Sequence, residues 1–498
     1  MSGGRVIGTE TEYGVYRPGD PWANPIALSA AVVDAYAQVS RERTPARGAP
    51  PVRWDYTGED PLNDLRGMRM SRAAADPSLL TDDPYHLAPS GGHERVARPT
   101  PEELALPAAT TAVLANGARL YVDHAHPEYS APEALGPVDA VLWDRAGEVV
   151  ARRAMEAVEA SGRGPVVLVK NNTDGKGAAY GAHENYQVPR ATDFDAIVRA
   201  LTPFMVTRPV VCGAGRVGIG QRSEAPGFQM SQRADFVENE VGLETTFNRP
   251  IINTRDEPHA DPARWRRLHV IGGDANMLRL GTTSLVLWAI EQGTDLRWDS
   301  LVLDDPVQET WNVSHHPDLD YRLSTAGGGS YTAAELQQVY LDLVLDAFDE
   351  AGAEPSGDDR LVLEQWQSVL DRMRADLFSV AAEVEWVCKY QLLLRQRERA
   401  GLQWSDPRLA AIDLQWADLR PSHGLVHRLD RAGAVKRLFA PERVEAAADE
   451  PPANTRARAR GEAVANRPDL VKASWTSLVF DPGQGDLLRY PIADARGA

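Results

Sequence analysis

The sequence predicts an α+β protein built around one large sheet with a polar working face. Two observations lead there. Strand and helix patterns alternate to about residue 300 and then give way to helices. At least five of the strands carry charged or hydrogen-bonding residues on one side, at alternate positions that point the same way.

Residues 4–16 (RVIGTETEYGVYR) read as a strand, and 26–39 as an Ala-rich helix with apolar residues at helical spacing. From about 40 to 107, Pro, Gly, Asp and Arg dominate and periodicity is lost. A denser patch inside that stretch runs from Arg53-Trp54-Asp55-Tyr56 to Leu65-Arg66-Gly67. An unpatterned segment this long in a compact protein is either functional or disordered. We read it as a mobile, partly disordered insertion. A short helix from Ala108 is expected to lead into a strand at 118–123, followed by an amphipathic helix at 138–161. Further strands are expected at 166–172, 182–188, 208–212, 250–255 and 268–273, and helices at 282–292, 333–351, 359–374 and 380–399. Beyond Arg420 a smaller segment ends in strand-like SLVF and LLRYPI. The expected division is a main domain, 1–420, carrying the insertion, and a small C-terminal domain, 421–498.

Composition narrows the class. With 43% apolar and 25% charged residues in 498, the chain is an ordinary globular one. The two cysteines, Cys212 and Cys388, lie far apart and suggest neither a zinc site nor a disulfide framework. A formal net charge of −18 argues against general nucleic-acid binding, which needs a basic face. No secretory leader is legible, and no apolar run approaches the roughly 18 residues that span a bilayer. A cytoplasmic location follows as the expectation. Gly213-Ala-Gly215-Arg-Val-Gly218 matches a dinucleotide fingerprint, but that motif must open a helix, and Pro226 and Gly227 close behind it break one.

The polar strand faces carry the chemistry. Arg119, Tyr121 and Asp123 share one face, as do Glu10 with Glu12, His183 with Asn185, Arg267 with His269, and Asn253 with Arg255. A single such strand is an ordinary wet exterior. Five that mix Glu, Asp, His and Arg suggest a shared ligand-binding face. Carboxylates and imidazoles there would hold divalent cations, and arginines would clamp the phosphates those cations neutralise. Magnesium favours oxygen over imidazole, so histidines imply an assisted site or a direct phosphate contact. Pro127 is expected to end the strand, leaving Glu128 on a loop just past Asp123.

Several segments resemble the family of Pup ligases and Pup deamidases, Pup being the small prokaryotic ubiquitin-like protein. They are Gly8-Thr-Glu10-Thr-Glu12-Tyr-Gly14, Asn116-Gly-Ala-Arg119-Leu-Tyr121-Val-Asp123, His126-Pro-Glu128-Tyr, His183-Glu-Asn-Tyr186, Ser231-Gln-Arg233, Ile251-Ile-Asn-Thr-Arg255, Arg266-Arg-Leu-His269-Val and Thr455-Arg-Ala-Arg-Ala-Arg-Gly-Glu462 with Trp475. The Asp123-His-Ala-His126 loop and the insertion with its Trp54-Asp55-Tyr56 patch resemble the deamidase branch. The resemblance implies a glutamine-synthetase-like curved antiparallel sheet flanked by helices. It implies ATP, or ADP with phosphate, bound with Mg2+. It implies hydrolysis of the amide of Pup's C-terminal Gln and of the isopeptide bond between Pup and substrate lysines. Pup and pupylated proteins are the implied partners, with a functional link to the bacterial proteasome and the chain acting as a monomer.

Carried over by position, Asp123 is the catalytic carboxylate, as nucleophile or general base. Glu10, Glu12, Tyr121, Glu128, His183 and His269 are metal-site candidates. Arg119, Arg233, Arg255 and Trp475 are nucleotide or phosphate contacts. The arginines at 456, 458 and 460 are candidates to line a groove for acidic Pup. One departure stands out: Gly273-Asp-Ala-Asn276-Met277 runs directly into Leu278-Arg-Leu-Gly281, where the family carries several more Ser-, Glu- and Thr-rich residues. The rival readings are a Pup ligase and a non-catalytic Pup- or nucleotide-binding regulator.

Overall fold

The computed structural model describes residues 4–82, 94–100, 110–273, 277–293 and 298–497. The departure at 274–276, and parts of the insertion, lie outside them. The main sheet has seven strands: β1 (Val6–Glu12), β2 (Thr111–Val113), β3 (Arg119–Asp123), β4 (His126–Ser130), β5 (Ala134–Leu135), β6 (Ala182–Pro189) and β7 (Trp265–Val270). Their order is β7-β6-β1-β4-β3-β2, with β5 also on β1, and every pairing is antiparallel. The fold is therefore α+β, as expected.

One face of this sheet is apolar. Ile7, Leu120, Tyr129, Tyr186 and Leu268 are almost wholly buried there. Helix α1 (Pro25–Glu42) and helix α2 (Pro137–Ala160) pack on this side, with α2 also contacting α4 (Met277–Glu291) beyond α3 (Phe194–Thr207). Helix α1 starts where the side chain of Asn24 accepts the Ala27 N–H at 3.1 Å and Pro25 fills the first turn. Glu184, on the buried face of β6, takes both Nη atoms of Arg208 at 2.8 and 2.9 Å, tying sheet to helix. The helical third contains α5 (Ala333–Ala351), α6 (Gly357–Ala375) and α7 (Glu385–Ala400). Thr332 with Glu335, and Ser356 with Asp359, form capping boxes, and Gly352 closes α5 in the left-handed conformation at φ 57°.

Three local expectations are corrected. The run 208–212 is not a strand but a helical turn, Pro209–Cys212, following α3. Burial of Val210 and Val211 against the core overrides their β preference. The approach to β3 is the strand β2, not a helix. Pro127 does not end the strand: it lies within β4, opposite Val122, one step from the closing pair Asp123–His126. Ladder alternation asks for no N–H toward β3 at that step, so proline fits. The Gly213–Gly218 motif opens a hairpin (Arg216–Ile219 with Ala225–Gln229), in line with its rejection as a dinucleotide site.

A second sheet of five strands joins the C-terminal segment to the insertion. Arg53–Trp54 pairs with Leu470–Ala473, and Arg95–Val96 pairs with Leu487–Pro491. Asp55 is buried beneath this sheet, accepting from Ser477 at 2.9 Å and from Arg489 at 3.1 Å.

Candidate active site

Strand register assembles the site. Glu10 lies opposite His183 on one side and Ser130 on the other, Glu12 opposite Glu128, Tyr121 opposite Glu128, and Asn185 opposite His269. Five strands thus bring their polar alternate residues onto one face. Two clusters result, each with ligand atoms within 4.8 Å of one another: Glu10, His183 and His269; and Glu12, Asp123 and Glu128.

In the first cluster, His183 Nδ1 lies 3.0 Å from Glu10 Oε2, and Asn185 donates to Glu10 Oε1 at 3.0 Å. Burial works to raise Glu10, but the His183 hydrogen bond, the two neighbouring imidazoles and the Arg267 charge hold it well below the usual carboxylate range. Burial, and then Arg267, push His269 well below the usual imidazole value, so it is neutral and free to ligate.

In the second cluster carboxylates crowd together. Burial, then the charges of Asp123, Glu10 and Glu12, push Glu128 well above its ordinary value. The Tyr121 hydroxyl donates to Glu128 Oε1 at 2.6 Å. Burial, then the carboxyls of Glu128, Asp123 and Glu10, keep that phenol protonated, so Tyr121 serves as a donor to Glu128. Glu12 is anchored twice: its N–H donates to Gly181 O, and its Oε1 accepts the Gly181 N–H, both at 2.9 Å. A Cβ at Gly181 would sit 2.4 Å from His183 and 2.8 Å from Glu12, so a larger residue there would displace both side chains. His126 approaches Glu12 at 3.0 Å and stacks on Tyr180.

These donor sets fit divalent cations. A crowd of buried carboxylates is relieved by positive charge, and a carboxylate beside two imidazoles is a ready ligand set.

Asp123, a member of the second cluster, closes the β3–β4 hairpin. Burial works to raise it, yet the hydrogen bond with His124, together with the charges of His124, His183 and Arg255, leaves it below its ordinary value. It is an ionised carboxylate at neutral pH.

The predicted nucleotide contacts lie at different depths. The Arg119 guanidinium sits between the rings of Trp54, 4.1 Å away, and Tyr121, 4.0 Å away. Trp475 meets Trp54 edge-on at 5.0 Å. Arg255 is buried close enough to bias Asp123, and its Nε and Nη2 have no hydrogen-bond partner among the described residues. A buried guanidinium with spare donors suits a phosphate. Arg233 lies deeper, with its Nη atoms given to the carbonyls of Tyr180 at 2.6 Å and Ile271 at 3.0 Å.

The structure corrects the arginine groove. Arg456 and Arg460 are buried and bind Glu133, Arg456 at 2.6 Å, while exposed Arg458 pairs with Glu462. Sequence reasoning missed Glu133 and also Glu59, which accepts the Trp54 indole N–H at 2.6 Å close to Arg119. The partners of Glu133 lie more than three hundred residues away, and the five-residue step from Trp54 to Glu59 matches neither helical nor strand spacing, so no pattern marks either acid.

The chain belongs to the Pup-ligase protein family, whose model matches residues 5–479. It is 46% identical over 498 residues to the Pup deamidase/depupylase of Mycolicibacterium smegmatis, covering 98% of this chain and 94% of that one. Among solved structures it is similar to the ligase PafA in complex with Pup, at TM-score 0.77 and 28% identity, covering 99% of this chain and 89% of the other. It is also similar to PafA in complex with ADP, at TM-score 0.71 and 32% identity, covering 86% and 96%.

Proposed function

We propose that this chain is a Pup deamidase and depupylase that works with ATP and magnesium. The carrying observation is the near full-length match to a Pup deamidase/depupylase at 46% identity, against 28–32% for the ligase structures. The enzyme class is a hydrolase of carbon–nitrogen bonds. The ligase structures bound to Pup and to ADP support Pup as partner and the nucleotide as cofactor here.

In this reading Asp123 is the reacting carboxylate. Its oxygen attacks the side-chain carbonyl carbon of Pup's terminal Gln, or of the isopeptide. A C–O bond forms, the π electrons move to the carbonyl oxygen, and collapse expels ammonia, or the lysine amine once nitrogen has taken a proton from solvent. Water then hydrolyses the mixed anhydride, giving Glu and restoring Asp123. Activation of water by Asp123 as a base is the other route to the same products. Glu10, His183 and His269 would hold one cation, and Glu12 and Glu128 a second, which would supply positive charge to the developing oxyanion. Magnesium suits the carboxylate pair better than the His-containing set. Arg119, Arg255 and Trp475 would face the nucleotide, with Arg233 supporting from beneath.

The same proposal keeps the division at about residue 420, with the insertion lending strands to the second unit's sheet. It places the enzyme in the cytoplasm as a monomer acting upstream of the proteasome. Among the described residues no helix is long and apolar enough to cross a membrane.

The test uses Gln-ended Pup with ATP–Mg and follows ammonia release and conversion of Gln to Glu by mass. Conjugation of Glu-ended Pup to lysine with no ammonia release would favour the ligase. Nucleotide binding without either activity would favour the regulator.

A further inference from the structure

We propose that His124 is a positioning residue that holds the Asp123 carboxylate, occupying one oxygen so that the other faces substrate. The inference rests on Asp123 being the reacting carboxylate.

The backbone gives the first reason. Strands β3 and β4 are joined by two residues, His124 and Ala125, and His124 takes φ 49°. In two-residue hairpins that conformation is the province of glycine or asparagine. A histidine there is uncommon, and residues held in this conformation cluster at functional sites.

The side chain gives the second reason. His124 Nδ1 lies 3.1 Å from Asp123 Oδ1, while the imidazole remains 41% exposed. Core packing therefore does not force this contact. The other acidic groups at the site, Glu12 and Glu128, repel the Asp123 carboxylate instead of orienting it. A carboxylate left among like charges would rotate, and attack on a carbonyl needs a fixed trajectory.

The third reason is that the turn itself is secured. Ser29, on α1, donates to the Ala125 carbonyl at 2.8 Å. The turn is thus tied to α1, and the ring to the reacting residue.

The discriminating variants are His124→Gly, which relaxes the backbone and removes the ring, and His124→Asn, which tolerates the turn and keeps a short donor. We expect His124→Gly to lower kcat for ammonia release about tenfold or more. KM should stay within about twofold and Tm should be unchanged or higher, since glycine suits this turn. His124→Asn should recover part of the lost kcat. Wild-type kcat in His124→Gly, a loss confined to KM, or no recovery in His124→Asn would each overturn the proposal. An inert wild-type enzyme would instead sink the deamidase reading on which it rests.

Discussion

At the scale of single residues, charge and burial separate the chemistry from the scaffold. Asp123→Asn keeps the shape and removes the anion. It should abolish ammonia release while leaving Tm within a degree or two of wild type, on the order of the small effects expected away from the core. Glu133 is the opposite case. Burial would raise it, but Arg460 and Arg456 hold it down at about 2. A depressed carboxylate stabilises the fold above its unfolded value and loses that contribution as pH falls through the folded one. Stability from Glu133 should therefore fade from about pH 4.3 to about 2. Glu133→Gln should cost about 3–5 kcal/mol at neutral pH, because two buried guanidiniums lose their counter-ion. Urea unfolding at pH 7 measures it, and a change under 1 kcal/mol would contradict the account. Alternation alone made Glu10, Glu12, Tyr121 and Asp123 legible as one face. Glu133 was not legible, because its partners lie more than three hundred residues along the chain.

At the scale of elements, the insertion is a fitted piece of the structure wherever it is described. Trp54 covers Arg119 and donates to Glu59, and the strand carrying Trp54 extends the C-terminal sheet. Burial pushes Glu59 up to about 7 against the lowering pull of Arg119 and of the Trp54 hydrogen bond. A raised carboxylate stabilises below its ordinary value and loses that contribution as pH rises through its folded one. The 53–60 segment should thus exchange its amide hydrogens faster at pH 8 than at pH 5.5 after correction for intrinsic rates. Glu59→Gln should flatten that dependence, and an unchanged slope would refute the assignment. Composition exposed this segment as unusual but pointed toward disorder. Its anchors are a cation–π stack and strand pairings with residues near the other terminus, and no local pattern encodes either. The misread helical turn at 208–212 has the same origin: β-branched residues show apolar preference, while the burying partners decide the backbone.

At the scale of the whole molecule, a chain of net charge −18 gathers carboxylates onto one face of its largest sheet. The faces of the strands were readable from alternation, but their order, β7-β6-β1-β4-β3-β2, was not, since alternation carries no information about neighbours. That order is what turns separate acidic strands into two cation-sized clusters. The arrangement sets stability against function. Without a cation, Glu12, Asp123 and Glu128 repel one another. Divalent cations should therefore raise Tm by binding only the folded state, stabilising it by about 2.7 kcal/mol when present at a hundred times Kd. Glu128→Gln removes an ionisable carboxyl from the crowd while its side-chain oxygen can still accept from Tyr121. In EDTA this variant should melt higher than wild type, yet gain much less from added magnesium or manganese and lose ammonia release. Calorimetric scans of both proteins, with and without cation, check the pair of effects together. A variant that melts lower than wild type in EDTA would show that Glu128 is a structural carboxylate and that the crowding is not what the cation relieves.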